Sequence, residues 1–412
     1  MISRRIFLKD GALALVSLGF APTFLARTVE GAQATRQKIL ITIFQRGAVD
    51  GLNMFVPFGE PDYYAARPSL AIAKPGADAN TAVDLDGFFG MHPRMRPLKP
   101  LWESGRLAVV HACGSHEDTR SHFDAQDYME SATPGVKSTP DGWMNRYLHA
   151  KEHQKATPFR AVALAQQLPR ALQGTAPALA IGQISQFGIR AGQSTEMVQS
   201  SFEAEYAAAA GSVLHSTGRE AFDAVKMMKK ANPSQYAPSN GAEYPRSPFG
   251  EALKQIAQLV KSDVGLEIAF AESGNWDHHA NEGSATGILA NRLDDLARGI
   301  AALARDLGDR MADVVVMTMS EFGRAVAENG TRGTDHGHGN AMMILGGGVR
   351  GGKVYGKWPG LGREQRHDGR DLAITTDFRA VFNEVVRGHL GLTDTSRVFP
   401  GFTGAQRLGL FA

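Results

Sequence analysis

The chain has 412 residues, of which 43% are hydrophobic and 21% charged, the composition of a globular protein rather than a disordered or lipid-embedded one. Its net charge of +2 comes largely from the first 34 residues, which carry Arg4, Arg5, Lys9 and Arg27 against Asp10 and Glu30, so the remainder is neutral. A neutral chain lacks the excess of phosphate-neutralising cations that a nucleic-acid-coating protein needs. The single cysteine, Cys113, excludes an intramolecular disulfide framework and any Cys-built metal site.

The first 34 residues read as an export address. Arg4 and Arg5 precede an apolar run from Gly11 to Phe24, and Ala32-Gln33-Ala34 offers a small-x-small cleavage site. The run is short and rich in Gly, Ala and Ser, so a Tat signal is expected rather than a membrane span. The alternative is an uncleaved amphipathic helix. No later stretch reaches 18 uninterrupted apolar residues. The expected location is therefore the periplasm or the medium, with the Tat translocase as a partner during export and no transmembrane segment afterwards.

Residues 35–412 alternate between two patterns and are expected to form one domain. Short β-branched runs at 38–44, 107–112, 160–165, 266–271 and 313–319, with a weaker one at 342–345, predict strands buried on both faces. Helical periodicity occupies 95–104, 122–131, 143–153, 249–260, 287–307 and 377–390. This alternation predicts an α/β fold with a largely parallel sheet and helices on both faces. The proline-rich stretch 232–250 reads as a long surface loop.

Polar residues gather just after the strands, where open α/β sheets bind ligands. Asp50 follows the first run. Asp277, His278 and His279 follow the run at 266–271, and Glu321 with Arg324 follows the run at 313–319. A further loop carries Asp335, His336 and His338. These nitrogen and oxygen donors suit one or two divalent ions, zinc or manganese first, with iron or calcium as further candidates. The simpler readings are a turn or cap role for Asp50 and a local pair between Glu321 and Arg324. His92 and His111 read as structural. Between Ser115 and Asp124, Thr119 and Ser121 could each cap a helix. Either hydroxyl could instead act as a nucleophile at a helix N-terminus beside a cation.

Taken together, Phe44 to Asn53, His92-Pro93, Thr119 to Asp124, Asn275 to His279, Glu321 to Arg324 and Gly333 to Gly337 resemble the Tat-exported bacterial domain-of-unknown-function family 1501. That family looks like a branch of the alkaline phosphatase and sulfatase superfamily. The resemblance implies an alkaline-phosphatase-like fold with two metals around a hydroxyl nucleophile, acting on phosphate or sulfate esters. It implies metal ligation by Asp50, Asp277, His279, Glu321, Asp335, His336 and His338, and attack by Ser121 or Thr119. Arg120 or Arg324 would clamp an anionic ester, whether small molecule or polymer. The pattern is not complete: Phe322 stands where the superfamily has a histidine, and Asp277 and His279 are closer in sequence than its usual pair. The alternative function is a non-catalytic metal- or anion-binding protein on the same fold.

Overall fold

The computed structural model describes residues 37–151, 157–184, 236–404 and 406–411. The expected export signal lies outside them, as do residues 232–235 of the expected loop. The central strands are β1 (Ile39–Gln45), β5 (Leu107–Gly114), β6 (Ala161–Ala163), β7 (Leu179–Ala180), β8 (Ile268–Ser273), β9 (Val314–Met319), β10 (Asn340–Gly346), β11 (Lys353–Tyr355) and β12 (Thr376–Asp377). They lie in the order β11-β5-β10-β9-β1-β8-β6-β7, with β12 also pairing with β5. Short strands β2 (Phe55–Val56), β3 (Val83–Asp84) and β4 (Gly90–Met91) make a separate small sheet.

The fold is mixed α/β around a mostly parallel sheet. Among the described strands of the central sheet, only β10 runs against its neighbours, β5 and β9. The strands β1, β8 and β9 pair in parallel, so their carboxyl ends share one edge. The opposite sense of β10 puts its beginning on that same edge. The loop before β10 therefore reaches the place that the loops after β1, β8 and β9 reach.

The sheet is covered on both sides because the side chains of a strand alternate in direction. Ile39, Ile41 and Ile43 of β1 pack on one face with α6 (Pro248–Lys261) and α7 (Ile288–Leu307), counting helices along the chain. Leu40 and Phe44 point to the other face, against α4 (His122–Ser131), α5 (Trp143–Ala150) and α8 (Phe378–Glu384). The periodic segment at 95–104 is a 3-10 turn, Pro93–Leu98, leading into the helix Lys99–Glu103. Pro97 lacks an N–H, which breaks what the periodicity alone reads as one helix. Residues 236–247 are irregular but anchored: Tyr236 and Tyr244 both donate to Asp306, at 2.6 and 2.8 Å.

Candidate metal centre

Four chain segments meet at the shared edge. The turn after β1 brings Gly47, β5 leads into α4 with His122 at its first turn, the loop after β8 brings Asp277 and His279, and the loop before β10 brings His336. In Asp277-His278-His279 the outer two side chains face the edge. His278 turns inward, and burial pushes its imidazole down to about 4.

The histidines are held from behind, and this fixes their tautomers. His122 Nδ1 donates to Glu321 Oε1 at 2.8 Å, His336 Nδ1 to the Arg120 carbonyl at 3.0 Å, and His279 Nδ1 to Asp335 Oδ1 at 3.2 Å. With the proton on Nδ1, each neutral ring presents a lone pair on Nε2. His336 Nε2 lies 3.0 Å from His122 Nε2, 3.0 Å from His279 Nε2 and 3.2 Å from Asp277 Oδ1. Asp277 also stands 3.0 Å from His279 Nε2 and 3.5 Å from His122 Nε2.

Four electron-rich atoms this close repel one another unless positive charge stands between them. Adjacent ligands of a four-coordinate ion with bonds of 2.0–2.1 Å lie about 3.3 Å apart. The separations given above bracket that value; His122, Asp277 and His336 offer atoms mutually within 4.8 Å, and His279 stands beside the latter two. The donor set of imidazole and carboxylate fits zinc or manganese.

Not every residue expected at one cluster is there. Asp50 is buried, both its oxygens accept from the guanidinium of Arg67, and it belongs to neither group of converging ligand atoms among the described residues. Glu321 is also buried, but its Oε1 already accepts from His122, from Gln126 at 2.9 Å and from the Gly47 N–H at 2.8 Å. Burial pushes its carboxyl up, and those donors reverse the shift and hold it below the usual range. Glu321 thus orients His122, and Asp335 does the same for His279. His338 lies apart, beside Asp118 and His367.

Arg324 is spent internally. Its guanidinium donates to the carbonyls of Gly47, Ala48, Trp276 and Thr334 and to Asp277 Oδ1 at 2.5 Å, with no exposed side-chain surface. It positions Asp277 and has no donor directed at solvent. Arg120 is half-exposed and pairs with the buried Asp371 at 2.9 Å. The hydroxyls serve the chain locally: Ser121 caps α4 by accepting from Asp124 N–H at 3.4 Å, and Thr119 accepts from Ser121 N–H at 3.2 Å. Neither makes a hydrogen bond to the histidine cluster among the described residues.

The family model for "Protein of unknown function (DUF1501)" matches residues 37–401. The chain is a DUF1501 protein. No curated protein matches it. The C-terminal periplasmic domain of EcEptC from Escherichia coli, crystallised in complex with Zn, is a solved structure similar to it at 9% identity and a TM-score of 0.36. That similarity covers 76% of the DUF1501 chain and 74% of the EcEptC domain. His122, not among the ligands expected from the sequence, joins the cluster from inside the Thr119–Asp124 motif.

Proposed function

We propose that this protein is an exported metal-dependent hydrolase of phosphate or sulfate esters, on an alkaline-phosphatase-like fold. The observation that carries the reading is the convergence of His122, His336 and Asp277 at an open strand edge, with His279 Nε2 3.0 Å from the latter two. These residues would hold the ion; Glu321, Asp335 and the Arg120 carbonyl keep the three rings aimed. When bound, a divalent ion there supplies Lewis acidity toward an ester oxygen.

Arg120 stands at the rim with its side chain partly in solvent, placed to attract the non-bridging oxygens of an anionic ester. The start of α4 adds partial positive charge on the same side. Water is the attacking group in this reading, since the Ser121 and Thr119 hydroxyls are engaged as caps. The new bond joins water oxygen to phosphorus or sulfur, the ester bond breaks, and the leaving oxygen takes up a proton.

The test combines metal analysis with turnover of aryl phosphate and aryl sulfate. Asp277→Ala is expected to lose bound metal and all hydrolysis. Ser121→Ala is expected to cost about 1 kcal/mol of stability through the lost cap and to keep both metal and turnover. Loss of turnover in Ser121→Ala with metal retained would move the attack to that hydroxyl. A metal-binding protein without turnover is the second reading, favoured by the commitment of Asp50 to Arg67 and of Arg324 to backbone carbonyls. Metal content with no ester cleaved would establish it.

A further inference from the structure

We propose that Asp118, His338 and His367 form a second divalent-cation site, separate from the histidine cluster. The three offer ligand atoms mutually within 4.8 Å. His367 Nε2 is 3.0 Å from Asp118 Oδ1, and His338 Nε2 is 3.9 Å from the same oxygen. The two rings lie against each other, 4.1 Å between centroids and 18° between planes, and a small rotation of the half-exposed His367 ring would bring both lone pairs onto one ion.

His338 is what separates this group from a surface ion pair. Its side chain is nine-tenths buried, yet its ring makes no hydrogen bond with any described residue. An imidazole held in that position with its nitrogens uncommitted is available to a ligand. The gap of 3.9 Å to Asp118 is too long for a hydrogen bond. It is compatible with two ligands of one ion, whose separations run from about 3.0 to 4.2 Å for bonds of 2.0–2.1 Å.

The backbone explains how one short sequence serves two sites. Residues 118–122 and 336–338 run beside each other, tied by the bond from His336 Nδ1 to the Arg120 carbonyl. Each segment contributes to both groups: His122 and His336 to the first, Asp118 and His338 to the second. Gly337 between the two histidines packs directly on the Arg324 backbone, where an added Cβ would come within 2.3 Å of the carbonyl carbon. Two imidazoles and one carboxylate select a borderline first-row cation over calcium or magnesium.

The experiment is calorimetric titration of the metal-stripped protein with zinc chloride, checked by metal analysis after desalting. Two equivalents are expected for the wild type. Asp118→Asn and His367→Gln, both at solvent-facing side chains, should each lose one equivalent or weaken it at least tenfold while their melting temperatures stay within a few degrees. His122→Ala should lose the other equivalent. If both Asp118→Asn and His367→Gln bind zinc as the wild type does, this site is overturned while the histidine cluster stands. If zinc is lost in those two variants but kept in His122→Ala, this site is upheld and the cluster behind the proposed function falls.

Discussion

Asp50 shows how one side chain can satisfy a motif and still play a different part. Its two oxygens and the guanidinium of Arg67 form a buried ion pair, and Arg67 also donates to the carbonyls of Ala325 and Val326. Removing one member of such a pair strands the other charge, at about 3–5 kcal/mol. Asp50→Ala should therefore lower the urea midpoint sharply and leave zinc stoichiometry unchanged; a lost equivalent would make Asp50 a ligand after all. Beside it, Glu282 is buried with its Oε2 accepting from Thr334 at 2.7 Å and its Oε1 without a donor. Burial and the Asp50 charge push Glu282 well above the ordinary 4.5, so the folded chain keeps a proton that the unfolded chain releases. Stability from Glu282 is complete below pH 4.5 and declines as pH rises through the folded value. Burial raises Asp50, but Arg67 brings it below 3.8, so its own contribution fades only at more acid pH. Glu282→Gln should flatten the decline above pH 4.5 in a urea-midpoint profile, and parallel profiles for variant and wild type would refute the proton retained on Glu282. The meeting of Asp277, His279 and His336 was legible from clustered histidines in loops beside strand-like runs. The diversion of Asp50 was not, because Arg67 lies in a segment without any motif.

At the scale of elements, the turn after β1 is the hinge of the site. Gly47 adopts φ +113, its N–H donates to Glu321 and its carbonyl accepts from Arg324. A Cβ there would come within 2.8 Å of the Asp277 backbone nitrogen. Gly47→Ala should thus displace Asp277 and weaken zinc binding by tenfold or more, read by competition with a chromophoric chelator; unchanged affinity would show that the β1 turn does not position Asp277. The central strands were readable because runs such as 39–43 and 314–319 are rich in β-branched residues and free of charge, the signature of strands covered on both faces. The antiparallel sense of β10 was not readable. Its residues look like those of its parallel neighbours, and direction is set by how the chain returns rather than by side-chain pattern. The division of His336 and His338 between two groups escaped for a similar reason, since it depends on the packing of Gly337 against Arg324 across the sheet edge.

For the whole molecule, none of the described helices is long and apolar enough to cross a membrane. The proposed export rests on a separate feature, the Arg4-Arg5 pair ahead of the apolar run from Gly11 to Phe24. Replacing Arg4 and Arg5 with lysine should leave the precursor in the cytoplasm, as cell fractionation would show; normal export of that variant would remove the Tat assignment. The histidine cluster joins residues very far apart along the chain: 214 positions separate His122 from His336, and 274 separate Gly47 from Glu321. Contacts of that span close late, after the loss of loop entropy has been met by strand pairing and core packing. The centre therefore cannot nucleate folding, and an ion arriving early would find only scattered ligands. On the proposed function, capture of metal would be the final event of maturation, a latch that fastens a structure already built and slows its opening without hastening its formation.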